Sequence, residues 1–334
     1  MGSTDFHKLD LGVLCSRVDL GGKISDICNC CRLPSYFEMD SAIFTLPSGS
    51  LAYHMEKDQL IPGHILFSDC KTLRTTDGNN TIVVHDFWTI DHASILGFVQ
   101  ISIVEIIFVD NLYSCLRLFN RSQGKVYKFA GDCKDRGFRD GTNPLFYVPY
   151  NVIQDNQTPC LFYVPEYANR AVRMVTKSRM PHVTTLIRSD YKSYMYIAQD
   201  PHGTYLYINY HAGLERFNLI TNTSIDIISD SRLYKGYTTN HAMINDINIR
   251  SYSDIVLQND LVVMFDQNML VLIDLTTNET YRVCTGVAGH RSGNISVCQL
   301  NQPHSLLEMD GNVYIGESGV VSVLRGMSTH FRVL

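Results

Sequence analysis

The chain has few charged residues for its length and no long run of one sign. Of its 334 residues, 28 are Lys or Arg and 33 are Asp or Glu, so the formal net charge is -5. A protein that binds nucleic acid or an anionic membrane surface usually carries a basic patch or a basic excess. We therefore expect no nucleic-acid partner.

Long apolar runs are missing as well. The longest, residues 93–109, is shorter than a membrane-spanning helix and is interrupted by Gln100, Ser102 and Glu105. The N-terminus lacks the basic segment, apolar core and small-residue cleavage site of a signal peptide. We expect no membrane span, and we interpret the sequence as a mature form or a piece of a longer chain.

No segment shows a long helical periodicity, and a different pattern recurs six times. Each copy is an alternating apolar strand, a short polar turn and a second strand that often carries Arg. The copies cover residues 65–74, 106–119, 161–175, 205–219, 261–275 and 312–325. Their anchors, the apolar residues that precede the turns, are Phe67, Phe108, Tyr163, Tyr207, Met264 and Tyr314. Alternation with β-branched and aromatic residues predicts β-hairpins.

A further apolar strand precedes most of these hairpins. Examples are residues 50–58, 149–155, 193–200 and 303–310. An inner strand, a hairpin and a variable outer strand make one propeller blade, so the sequence predicts an all-β, six-bladed β-propeller. A β-sandwich or a small barrel also alternates, but 334 residues is long for one sandwich. Residues 42–46 or 329–334 are the candidates for the strand that closes the ring.

Two stretches resemble NHL repeats. The first runs from Gly131 through Gly141, Pro149 and Val152 to the hairpin residues Tyr163, Asn169 and Arg173. The second runs from Gly289 to Gly316. The single tryptophan, Trp88, and the lack of Trp-Asp pairs make WD40 propellers less similar. The resemblance implies an NHL-like propeller, which we place at residues 41–334, after an N-terminal extension of residues 1–40.

The ten cysteines favour an oxidising, extracellular setting. Cys133 with Cys160, and Cys284 with Cys298, are predicted to staple the third and sixth blades, and Cys70 with Cys115 is the candidate for a third bridge. The extension contains Cys15, Cys28, Cys30 and Cys31, for which three pairings are possible. A zinc site is the alternative for this cluster, but its spacing is not typical of one.

Six Asn-x-Ser/Thr sequons also favour an extracellular setting. They begin at Asn79, Asn120, Asn156, Asn222, Asn278 and Asn294. We predict that they carry N-linked glycans on a secreted glycoprotein.

The last blade also resembles the propellers of peptidyl-hydroxyglycine α-amidating lyases, through Pro303, His304 and Leu306. That resemblance implies a zinc ion held in the central channel by three histidines. His92, His241 and His304 are the candidates, because each lies near a predicted inner-strand start. Only His304 has the full Pro-His-x-Leu context, and Tyr150 stands at the matching place in the third blade.

Two functions therefore remain open. The preferred one is a non-catalytic extracellular interaction or structural module without a cofactor, which binds other extracellular proteins, copies of itself or flanking domains of a longer chain. Its predicted contact sites are the irregular segments 69–91 and 230–252. The alternative is a zinc-dependent lyase.

Overall fold

The computed structural model describes residues 38–46, 51–210, 213–228, 241–243, 254–258, 260–294 and 296–325. Within these residues the backbone forms six antiparallel sheets of four or five strands each. The sheets contact one another in chain order, and the last sheet contacts the first. The protein is therefore an all-β, six-bladed β-propeller, as the six hairpins predict.

The first four blades have four strands each, which run in chain order from the innermost strand outward. Blade 1 contains β2 (His54–Lys57), β3 (Ile65–Ser68), β4 (Thr72–Thr76) and β5 (Thr81–Asp86). Blade 2 contains β6 (Ile95–Gln100), β7 (Glu105–Asp110), β8 (Cys115–Asn120) and β9 (Lys125–Ala130). Blade 3 contains β10 (Ile153–Gln154), β11 (Leu161–Glu166), β12 (Ala171–Thr176) and β13 (His182–Arg188). Blade 4 contains β14 (Tyr194–Gln199), β15 (Tyr205–Tyr210), β16 (Gly213–Asn218) and β17 (Thr223–Ile228).

The last two blades have a fifth strand at their outer edge. Blade 5 contains β19 (Ile255–Gln258), β20 (Leu261–Asp266), β21 (Met269–Asp274), β22 (Glu279–Val283) and, outermost, β18 (His241–Met243). Blade 6 contains β24 (Ser305–Met309), β25 (Asn312–Glu317), β26 (Val320–Arg325), β1 (Glu38–Thr45) and β23 (Gly293–Asn294). A short helix, α1 (Phe87–Ile90), joins blades 1 and 2, and Asp86 caps its start.

The ring is closed by the N-terminal side of the chain. Strand β1 pairs antiparallel with β26 and contains most of the predicted segment 42–46, so this part of the chain supplies a closing strand. The other candidate, residues 329–334, lies outside the described residues. The four cysteines of the predicted extension, in residues 1–37, lie outside the described residues.

The core lies between neighbouring blades, and strand alternation explains why. In β7, Ile106 and Phe108 pack in the cluster shared with blade 1, whereas Ile107 and Val109 pack in the cluster shared with blade 3. Successive side chains of a strand point to opposite faces, so a central strand of a blade must be apolar on both. This requirement produces the apolar runs that mark the six hairpins.

Three of the predicted hairpin anchors are displaced by one residue. Strand register aligns Phe67, Phe108 and Met264 with Val164, Ile208 and Ile315. The predicted anchors Tyr163, Tyr207 and Tyr314 are the preceding residues. A shift of one position places a side chain on the opposite face of its blade. The side chains of the three tyrosines therefore lie on the opposite face of their blades from the side chains of Phe67 and Phe108.

The corrected register reveals one polar contact that recurs at the hairpin turns. In blades 1 to 3 the second residue after the anchor is acidic. An Arg on the next strand is the residue that pairs with the anchor across the sheet. We call this contact the hairpin pair. Its distances are 3.0 Å for Asp69–Arg74, 2.7 Å for Asp110–Arg117 and 3.0 Å for Glu166–Arg173.

The other blades keep a polar contact here with different residues. In blade 4 the acid, Glu215, occupies the arginine position, and Lys192 lies 2.9 Å from it. In blade 5, Arg282 lies 3.7 Å from Asp266. In blade 6, Glu317 accepts a hydrogen bond from the Ser322 hydroxyl.

The structure changes the predicted disulfide pairing. Cys115 is bonded to Cys133, with their Cα atoms 5.2 Å apart, so the predicted Cys133–Cys160 and Cys70–Cys115 pairs are wrong. Cys115 opens β8 and Cys133 follows β9, and both positions lie at the same end of blade 2. Cys160 precedes β11, at the opposite end of its blade, so Cys133 cannot reach it. Cys284 is bonded to Cys298.

Glu317 provides a pH test of the buried acid at the blade 6 turn. Burial raises the pKa of Glu317 to about 7, although the Ser322 hydroxyl and the backbone N–H of Asn301 lower it. A raised folded-state pKa means that the stabilisation is complete below the unfolded value, near 4.5, and is lost as the pH rises to about 7. In Glu317→Gln we expect this loss, on the order of 2 kcal/mol, to be absent.

Urea unfolding of wild type and Glu317→Gln across this pH range measures the difference. Glu308→Gln, on an exposed residue of the same blade, is the control. Identical pH profiles for wild type and Glu317→Gln would show that the Glu317 carboxyl ionises without cost in the folded protein.

Candidate functional site

The two faces of the ring follow from strand direction. Neighbouring strands are antiparallel, so the innermost strands of all blades begin at one face, which we call the upper face. The turns between second and third strands and the connections between blades also lie there. The opposite face, which we call the lower face, carries the turns that follow the innermost and the third strands.

Four aromatic rings surround the upper end of the central channel, and we call them the aromatic mouth. They are Tyr53, Tyr150, Tyr196 and His304. Tyr53 and His304 are stacked with ring centroids 5.3 Å apart. Tyr150 and Tyr196 meet edge to face, also at 5.3 Å. Each lies just before or at the start of an innermost strand, which places it at the channel.

The polar atoms around the mouth are uncharged at physiological pH. Burial raises the pKa of Tyr150 to about 12 and raises that of Tyr196 well above its usual value. Cys70, in the blade 1 hairpin turn, contributes to both shifts. Burial also raises the pKa of the Cys70 thiol to about 12. A thiol with such a pKa is a poor nucleophile, since the thiolate is the reactive form.

Below the mouth the channel contains a cavity of about 290 Å³. Its ionisable lining residues are His54, Glu56, Asp254 and Glu308. They come from the innermost strands of blades 1 and 6 and, for Asp254, from the residue before β19. The propeller thus assembles the cavity from residues far apart in sequence.

His54 is the most unusual of these residues. It is 9% exposed, and neither of its ring nitrogens has a hydrogen-bond partner among the described residues. Its Nε2 atom lies 3.9 Å from Glu56 Oε1, and its ring meets Phe98 edge to face. Burial lowers the pKa of His54, but Glu56 and Asp254 together raise it above its usual value.

The two carboxylates around His54 are held by the backbone and by a side-chain amide. Asp254 accepts hydrogen bonds from the N–H groups of Ile255 and Leu306, at 2.9 and 3.0 Å. Burial raises the pKa of Asp254, and His54 opposes that shift. Glu56 Oε2 accepts two hydrogen bonds from Gln100, both of 3.0 Å, which leaves Oε1 directed at His54.

The three histidines predicted for zinc are not brought together. His304 lies at the aromatic mouth, and His92 is exposed in the connection between blades 1 and 2. His241 belongs to β18, at the outer edge of blade 5, whereas the innermost strand of that blade is β19. The prediction that His241 opens an inner strand is wrong because blade 5 has a fifth strand.

The described residues therefore do not fit a three-histidine zinc site. Such a site needs three imidazole nitrogens about 2 Å from one metal ion. No group of three His, Cys, Asp or Glu residues in the described ranges has a geometry suited to a metal. We derive no chemistry from zinc in this channel.

The predicted contact segments also change. Residues 69–91 are not an irregular insertion, because they contain the blade 1 turn, β4, β5 and α1. Of residues 230–252, only β18 lies within the described residues.

The sequons are distributed unevenly between the two faces. Five of the six lie in lower-face turns or at strand ends that lead into them: Asn79, Asn120, Asn156, Asn222 and Asn278. Four of these are exposed, and Asn120 is half-buried. Asn294 is exposed in β23, at the outer edge of blade 6.

Exposed aromatic side chains follow the opposite distribution. Trp88, Tyr113, Tyr167 and Tyr191 are exposed in connections and turns of the upper face. The exposed large apolar residues of the lower turns are aliphatic: Leu60, Ile103, Met180 and Ile220. The remaining exposed aromatics lie on an outer strand, Tyr127, and in the long connection after β9, Phe138.

Sequence reasoning did not find the channel residues. His54 stands one residue after Tyr53 in a segment predicted to be an inner strand, so a polar residue at an inner-strand start was the available signal. Asp254 follows a segment without strand alternation, and nothing in the sequence relates it to His54.

Comparison with known proteins supports the fold. No protein-family model and no curated protein matches the chain, so the NHL resemblance stays a prediction. The described residues contain no helix long and apolar enough to cross a membrane.

Three solved structures are similar. An auxiliary nutrient binding protein from Bacteroides thetaiotaomicron is 10% identical, with a TM-score of 0.66 over 86% of this chain and 76% of that one. The extracellular domain of a putative one-component system from the same organism is 12% identical, with a TM-score of 0.55 over 87% and 40%. A chain of a nidogen/laminin complex is 9% identical, with a TM-score of 0.52 over 76% and 85%. At these identities the likeness establishes a shared propeller fold.

Proposed function

We propose that this protein is a non-catalytic, secreted β-propeller that binds another extracellular protein through its upper face. The observation that carries the proposal is the contrast between the faces: four exposed aromatic rings lie in the upper turns and connections of blades 1 to 4, and five sequons lie at the lower turns of blades 1 to 5. Glycans on the lower turns would cover that face with bulky, hydrated groups. The upper face then remains accessible, and we infer that a protein partner binds there.

The chemistry of the upper face suits a protein partner. Lys71 lies 5.7 Å from the Trp88 ring, Arg117 lies 5.4 Å from the Tyr113 ring, and Lys192 lies 5.7 Å from the Tyr191 ring. Aromatic residues and Arg are enriched in protein interfaces because they bury a large area and also offer polar contacts. Loops on a rigid scaffold are the usual carriers of such contacts.

The extracellular part of the proposal is supported by two disulfides, Cys115–Cys133 and Cys284–Cys298, because disulfides persist in oxidising compartments. One of the similar structures is an extracellular domain, and another comes from a nidogen/laminin complex. An NHL-like propeller that follows an N-terminal extension belongs to the same proposal, with the boundary before Glu38 instead of after residue 40, because β1 of blade 6 begins at Glu38.

A glycan placed on the upper face tests the docking surface. Tyr113→Thr creates a sequon at Asn111, in the turn between β7 and β8. The wild type and the glycosylated variant are compared for binding to a panel of secreted and cell-surface ectodomains and to the protein itself. We expect a partner whose affinity falls by at least about tenfold, since a glycan at this turn blocks close approach.

Two controls separate the effect of the glycan from the effect of losing an apolar side chain. The same variant after enzymatic deglycosylation reports the loss of the Tyr113 ring alone, and Ile220→Ala reports a matched truncation on the lower face. Partner binding that survives the Asn111 glycan and is lost in Ile220→Ala would place the interface on the lower face and refute the proposal.

Glycan mapping tests the secreted state. In protein isolated from its native source, N-glycosidase treatment is expected to lower the mass and to convert Asn to Asp at exposed sequons, with Asn79, Asn222 and Asn278 converted most fully. Asn120 should be less occupied because it is half-buried, and Asn156 because its Nδ2 atom, to which a glycan is attached, donates a hydrogen bond to the Asp200 carbonyl oxygen. An unchanged mass would contradict secretion through a glycosylating pathway.

A further inference from the structure

The channel cavity has an excess of negative charge. Its ionisable lining residues are three carboxylic acids, Glu56, Asp254 and Glu308, and one histidine, His54, and the lining contains no Lys or Arg. Charges inside a narrow, low-dielectric channel interact more strongly than charges at an open surface. Such a cavity favours a cation.

His54 acts as the counter-ion of this cavity. Glu56 and Asp254 raise the pKa of His54 above its usual value, against the effect of burial, and the Phe98 backbone acts in the same direction, so the cavity favours the protonated ring. The Glu56 carboxylate is nevertheless 3.9 Å from Nε2, and neither ring nitrogen makes a hydrogen bond in good geometry among the described residues. Poorly satisfied buried donors cost free energy.

The groups that face His54 come from three strands of the ring. Glu56 stands on its own strand, β2, and Asp254 precedes β19. Glu308, on β24, is exposed and lines the same cavity. On the side of blade 2, the facing group is the uncharged ring of Phe98, 4.9 Å away between ring centroids.

The size of the cavity limits its ligand. The cavity volume of about 290 Å³ lies at the small end of ligand sites, which limits the ligand to a short chain.

We propose that the channel cavity is a binding site for a short primary amine, whose ammonium group replaces the charge of His54 between Glu56 and Asp254. The ammonium donates hydrogen bonds to the two carboxylates, and a neutral His54 ring supplies a third acceptor. One proton leaves His54 for solvent as the amine binds, so the number of charges in the cavity is conserved. Binding therefore strengthens as the pH rises through the pKa of His54.

The test uses 1,4-diaminobutane and its uncharged analogue 1,4-butanediol in isothermal titration calorimetry with the full chain. We expect saturable binding of the diamine, at least about threefold tighter at pH 8 than at pH 6, with close to one proton released per amine bound at pH 6 and fewer at pH 8. Two buffers of different ionisation enthalpy measure the proton count. Butanediol is expected not to bind.

Variants assign the binding to this cavity. Asp254→Asn is expected to weaken the diamine by about tenfold or more, and His54→Gln to remove the pH dependence. Asp135→Asn, on an exposed loop residue, is the matched control and should bind as wild type. Glu56→Gln replaces Asp254→Asn if circular dichroism shows that the latter does not fold.

Three results would overturn the proposal. They are no saturable diamine binding, equal binding of diamine and butanediol, and diamine binding that is unchanged in both Asp254→Asn and Glu56→Gln. A pH-independent affinity in wild type would refute the exchange with His54.

Discussion

The hairpin pair is the interaction on which the rest of this structure depends. Five blades place a carboxylate at the upper turn, blade 4 places Glu215 on its third strand instead, and in blade 3 both Glu166 and Arg173 are fully removed from solvent. Such a pair gains little net stability over apolar residues of the same size, but removing one partner leaves a buried charge. The pair therefore specifies the register of the second and third strands. Register decides which side chains face each interblade core.

A fixed register also determines what each face of the ring displays. Because all innermost strands begin together, Tyr53, Tyr150, Tyr196 and His304 converge on one channel end. The lower turns are short polar turns, and five of them contain or adjoin a sequon. The upper hairpin turns and connections carry the exposed aromatic rings. The difference between a docking face and a shielded face is thus a consequence of strand direction, and the channel cavity lies between them.

The sequence predicted the features that are periodic and missed those that depend on register or on distant segments. Six hairpins and the closing strand near residue 42 follow from alternation. The anchors in blades 3, 4 and 6 were displaced because Tyr163, Tyr207 and Tyr314 are as apolar as the true anchors beside them. The predicted Cys284–Cys298 bridge is confirmed, but the pairs Cys133–Cys160 and Cys70–Cys115 are wrong because a sequence does not show at which end of a blade each Cys lies. The His54 and Asp254 cavity joins blades 1 and 5, which only the closed ring brings together.

A double-mutant cycle on Glu166 and Arg173 tests the central claim most directly. Urea unfolding is measured for wild type, Glu166→Gln, Arg173→Met and the double variant. Arg173→Met alone is expected to cost about 3–5 kcal/mol, because it removes the charged partner of both Glu166 and Asp140. The double variant should be more stable than the sum of the single losses predicts, by at least about 1 kcal/mol. Additive losses, or a cost of Arg173→Met below about 1 kcal/mol, would show that the hairpin pair does not determine the stability of the blade.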